Sequence, residues 1–196
     1  TIESGNATCE GVIRFNDKGF EKLVRQQLRR PKAPITHVDL ATIGAIEISK
    51  NTNLVEPINI KAFRCFRNLR NLALLGVKVK NLDAIGSLSG LQNLWLTGNE
   101  LSEIRALANL ASLQELHIGN NPIKNFTPLK KLTNLVILEL NNVGLKNGAF
   151  LKNMRFLRQL MLTNNQLTDA SFVQSLQLLE NISLSGNQIA SIPRIR

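Results

Sequence analysis

The sequence predicts a curved α/β solenoid, with a parallel sheet lining the concave side, helical turns on the opposite side and a helical cap at the N-terminal end. Three observations predict it. A leucine pattern returns every 22 residues; each copy joins an alternating half to a half with apolar residues three apart; and the first 42 residues do not repeat but carry two helix-start signals. The chain therefore divides into a cap over 1–42, with a flexible start, and a repeat array over 43–196.

In the cap, "RFNDKGFEKLVRQQLRRPK" offers Asn16 or Asp17 as the N-cap of a helix. Its apolar residues Phe20, Leu23, Val24 and Leu28 share one face, and Pro31 ends it. In "ITHVDLATI", Thr36 and Asp39 form a capping-box variant, with Ile35 and Leu40 placed as the hydrophobic staple. Both helices are expected to cover the open end of the repeat core.

Clean repeats start at Leu69, Leu91, Leu113, Leu135, Leu157 and Leu179. A degenerate copy starting at Ile43 precedes them, with Ile46, Ile48 and Asn51 in its first half, Ile60, Phe63 and Phe66 in its second, and a four-residue insertion around "NLVEPI". This gives about seven repeats, the last incomplete. The LxL centre of each copy alternates as a strand does, which turns the leucines inward and the third, fifth and seventh positions outward. Asparagine at the ninth position (Asn51, Asn99, Asn121, Asn165, Asn187) can satisfy the backbone of the turn after the strand. Val77 and Val143 interrupt that series and predict two loose turns, while Gly148 and Ala170 stand where large apolar residues are expected. Triplets such as Ile104, Leu107 and Leu110, or Phe126, Leu129 and Leu132, suit a tight helical turn on the far side. No copy can bury its face alone, so stacking closes the core. The chain stops at "SIPRIR", before its last helical side is complete, which fits either the boundary of a longer protein or an end covered by a partner copy.

The six copies of LxxLxLxxNxLxxLxxLxxLxx resemble the 22-residue leucine-rich repeats of bacterial internalins and of the protein phosphatase regulator class. The stretch "FNDKGFEKLVRQQLRRPKAPITHVDL" also resembles the helical cap that precedes such repeats in bacterial surface and secreted proteins. The resemblance implies a non-enzymatic binding module, secreted or displayed on a cell surface, that holds a protein on its concave sheet. The alternative it carries is an intracellular regulatory scaffold resembling phosphatase regulators; a spacer between other domains is a third.

Composition agrees with a binding role. No run of about 18 uncharged apolar residues exists, so no membrane span is expected. The start "TIESGNATCE" lacks an initiator Met and a basic-then-apolar leader, as in a matured secreted chain or an excised segment. Cys9 and Cys65 are too few for a disulfide framework, and whether they pair is open; pairing would argue for export. No metal-ligand cluster, phosphate-cradling loop or nucleophile elbow appears, so neither cofactor, metal nor catalytic residue is expected. The net charge of +10 places basic residues on flanks, at Lys61, Arg64, Arg67 and Arg70 and at Lys130, Lys131, Lys152 and Arg155, where they could attract anionic surfaces. Nucleic acid is a poor fit, because the chain has no Tyr to interleave with those charges and its Phe fall at core positions.

The outward positions carry the candidate partner contacts. Leu75, Trp95, Ile137 and Met161 are apolar where folding does not require it, and His117 and Glu139 stand beside Trp95 and Met161 in the fifth-position series. An aromatic and a methionine rimmed by Asn, Glu and Thr is the composition of an interface centre.

Overall fold

The computed structural model describes residues 9–15, 17–50 and 60–193; Asn16, Asn51, the "NLVEPI" insertion and Arg196 lie outside them. Seven parallel strands follow the repeat register: β1 (Ala45–Ser49), β2 (Asn71–Leu75), β3 (Asn93–Trp95), β4 (Glu115–His117), β5 (Ile137–Glu139), β6 (Gln159–Met161) and β7 (Asn181–Ser183). They form one sheet in sequence order. Because the clean repeats are all the same length, equivalent residues pair, so Leu72, Leu94, Leu116 and Leu138 stack as one fully buried row. Opposite the strands run 3₁₀ turns such as Arg105–Asn109 and Thr127–Lys131, as the three-residue apolar spacing requires. β7 has a neighbour on one side only, and Ile182 and Leu184 are accordingly half-buried where Leu160 and Leu162 are fully buried.

The cap forms as its signals predict. Helix α1 (Lys18–Leu28) begins at Asp17, whose carboxylate accepts from the backbone N–H groups of Gly19 and Phe20 at 2.8 and 3.0 Å, and ends at Arg29 in the left-handed region. It buries Phe20 and Val24. Phe20 packs against Phe63 and Phe66 with ring centroids 5.1 and 6.0 Å apart, which closes the end of the repeat core. Helix α2 (His37–Leu40) opens with the capping box between Thr36 and Asp39, and Ile35 and Leu40 are buried beside it. The backbone N–H and hydroxyl of Thr36 hold the Asp39 carboxyl below the usual carboxylate range, with help from Arg30 and His37. Cys9 and Cys65 form a disulfide, which ties the start of the cap to the 3₁₀ turn Ile60–Cys65.

The turns after the strands differ from expectation at Val77 and Val143. Both valines are buried, at 1% and 4% exposure, and neither turn is loose. Each ladder asparagine among the described residues serves the preceding repeat as well as its own: the Asn99 amide donates to Leu74 O and Leu96 O, both at 2.7 Å, and its carbonyl accepts from the N–H groups of Val77 and Val79. Asn165 does the same for Leu140, Leu162, Val143 and Leu145. The valine turns are thus held from the next repeat. They also bend differently, because the residue after each valine, Lys78 or Gly144, is left-handed (φ 56° and 73°). Position eight is left-handed in all six clean repeats and is always Gly or Asn, the residues that tolerate that conformation.

The small residue Gly148 leaves no void either. A Cβ there would lie 2.6 Å from the ring of Phe172, so the next repeat fills the space from its own side. Ala170 is fully buried in the same region. Gly148→Ala is therefore expected to cost about 1–3 kcal/mol in a denaturant titration, as overpacking does, and Phe172→Leu in that background is expected to recover part of the loss.

Candidate functional site

The register settles which outward side chains are neighbours. The fifth positions form a row in strand order, Glu47, Ala73, Trp95, His117, Glu139, Met161 and Ser183. Four of the six candidate residues therefore stand on adjacent strands. Ile137 lies one row away, between Glu115 and Gln159, and Leu75 lies at the other edge of the face, opposite Ser49. Leu75, Trp95, Ile137 and Met161 are half-buried, so each keeps surface to offer.

Trp95 and His117 stack, with ring centroids 6.1 Å apart and planes 23° from parallel. His117 Nε2 is 2.8 Å from Glu115 Oε1, which fixes the imidazole against the indole. Trp95 is thereby held from the β4 side, and its fifth-position neighbour on the β2 side is the small residue Ala73. Above this pair, the Asn93 amide donates to Asn71 Oδ1 at 2.6 Å, continuing a polar rim.

Glu139 has a different part. It is only 7% exposed, and its carboxylate accepts from the N–H groups of Gly119 and Asn141 at 2.9 Å each and from the Thr97 hydroxyl at 3.3 Å. The bond to Thr97 spans from β5 to the turn that follows β3, across Gly119. A Cβ on Gly119 would sit 2.1 Å from Glu139 Oε1, so the glycine makes the room. Glu139 thus pins the sheet beneath the candidate face and leaves His117 to pair with Glu115. Sequence reasoning missed Gly119, Thr97 and Asn141 in this arrangement. The available signal was Gly119 itself, the one seventh-position residue without a side chain.

The flank lysines of the later repeats sit away from this face. Lys130 and Lys131 lie in the 3₁₀ turn Thr127–Lys131 and Lys152 in Ala149–Asn153, all exposed on the side opposite the strands. Among the described residues, no group of three His, Cys, Asp or Glu could hold a metal ion, and no helix is long and apolar enough to cross a membrane.

No protein-family model and no curated protein matches the chain. Its fold, however, matches solved structures. An internalin C2 of Listeria monocytogenes aligns with a TM-score of 0.75 at 26% identity, covering 90% of this chain and 87% of that one. An internalin (InlF) of the same organism aligns with a TM-score of 0.74 at 23% identity, covering 91% of this chain, which spans only 58% of that protein's chain. A leucine-rich repeat protein of Leptospira interrogans aligns with a TM-score of 0.67 at 26% identity, over 79% of this chain and 40% of that one.

Proposed function

We propose that this leucine-rich repeat protein, built on the internalin fold, is a non-enzymatic module that binds a partner protein on its concave face and works outside the bacterial cytoplasm. The observation that carries the reading is the Trp95–His117–Glu115 arrangement: a half-buried indole, stacked on an imidazole that Glu115 holds by a hydrogen bond, stands on a sheet whose core is complete without it. An aromatic held rigidly before a partner arrives loses little side-chain freedom on binding, which is the economy of a hot-spot residue. Leu75 on one side and Ile137 and Met161 on the other extend the apolar contact, and the asparagine pair and Glu115 supply a polar rim.

The Cys9–Cys65 disulfide supports an exported protein over the intracellular scaffold, because disulfides persist in oxidising compartments. The flank lysines would then add electrostatic attraction to anionic surfaces without forming the site.

Trp95→Ala is expected to weaken capture of the partner at least about tenfold, while changing stability by no more than about 1 kcal/mol because no core contact is removed. Affinity capture followed by titration, run beside a thermal melt, reads both. A variant that binds normally but melts early would reverse the assignment and make Trp95 a packing residue.

A further inference from the structure

We infer that the notch between Glu47 and Trp95, floored by Ala73, receives an arginine side chain of the partner; the inference rests on the concave-face reading and names what that face recognises. The register places Glu47, Ala73 and Trp95 side by side on β1, β2 and β3. Two strand spacings separate Glu47 from Trp95, roughly 10 Å. The methyl of Ala73 leaves that interval open. His117 stacks on the indole from the β4 side, and Ala73 is the fifth-position neighbour on its β2 side, where the notch lies. Glu47 is exposed, and no described residue pairs with it. Leu75, half-buried at the next outward position of β2, gives the floor an apolar edge.

Charge distribution singles out the same chemistry. The third, fifth and seventh positions of the seven repeats carry no Lys or Arg, in a chain with 24 of them. They do carry Glu47 and Glu115, with the carboxylate of Glu139 folded onto the sheet beneath them. Setting those three charges aside from a total of +10 leaves +13 on the rest of the molecule, so a cationic partner group is repelled from the flanks and drawn to this face. An arginine suits the notch better than a lysine. Its planar guanidinium can stack on the indole and present a fork of N–H donors to the Glu47 carboxylate, while its stem lies along Ala73 and Leu75.

The chain has one Trp and no Tyr, so its fluorescence reports on Trp95 alone. Titration with the peptide acetyl-Gly-Arg-Gly-amide at constant ionic strength is expected to change that emission saturably, with a midpoint on the order of 1 mM. The lysine peptide is expected to bind at least about fivefold more weakly. Glu47→Gln should raise the arginine midpoint about tenfold, and Ala73→Leu, which fills the notch beneath an intact Trp95, should abolish the change. No saturable response to about 20 mM, twenty times the midpoint expected above, or equal responses to both peptides and in Glu47→Gln, overturns the inference. The two levels separate in partner capture: loss with Trp95→Ala but not with Glu47→Gln or Ala73→Leu removes the arginine site and leaves the concave face, whereas indifference to Trp95→Ala removes the face itself.

Discussion

Replacing Asn99 by alanine is expected to destabilise the protein by about 4 kcal/mol, with an equal loss for Asn165→Ala and a smaller one for Asn187→Ala. The expectation follows from what each side chain satisfies. Asn99 is 6% exposed and uses its whole amide, donating to Leu74 O and Leu96 O and accepting from Val77 N–H and Val79 N–H. Truncation strands those four backbone groups where water reaches poorly, and each buried unsatisfied group costs roughly 1–3 kcal/mol before relaxation. Asn165 makes the equivalent bonds to Leu140, Leu162, Val143 and Leu145. Asn187 donates to Leu162 O and Leu184 O as its counterparts do, but it accepts from one N–H, that of Leu167, and sits half-buried beside the last strand, so water can replace part of its work. Urea denaturation of the three variants checks the order. Equal, small losses in all three would show that the ladder is dispensable.

Removing the disulfide is expected to have the other large effect. Cys9 and Cys65 are 56 residues apart in sequence, and closing a loop of that length restricts the unfolded chain by about 4 kcal/mol on the entropic account. The loss should not be spread evenly. In a stack of repeats stability is a sum of units and interfaces, so an untethered cap opens before the array does. Hydrogen exchange on a Cys9→Ala/Cys65→Ala variant should show early opening in α1 and α2 and around the Phe20, Phe63 and Phe66 rings, with β4 to β6 close to their original protection. Uniform acceleration across all strands would instead mean that the cap and the array unfold as one unit.

Much of this architecture was legible in the sequence because its causes are local or strictly periodic. The repeat starts set the strand register directly, since a constant spacing lets equivalent leucines pair. Thr36 and Asp39 specify their capping box within four residues. What was not legible depends on partners about twenty residues away. Val77 looks like a gap in the ladder until Asn99 is seen to reach back to its N–H, and Lys78 then takes the left-handed turn that brings Val79 N–H to the same oxygen. Gly148 looks like a missing core residue until Phe172 arrives from the next repeat. Glu139 reads as one more outward side chain, but the absence of a side chain at Gly119 lets it fold down onto the sheet. The pairing of Cys9 with Cys65 reaches further still, across 56 residues, and depends on how the cap docks.

A contact-reporting side chain tests the concave-face claim most directly. A photo-crosslinking amino acid placed at Met161, on the outward row of β6, and in a separate variant at Lys152, on the opposite side of the same part of the molecule, samples the two surfaces under one condition. A covalent adduct with the partner is expected from position 161 and none from position 152. An adduct from position 152 alone would place the partner on the helical side and contradict the concave-face claim.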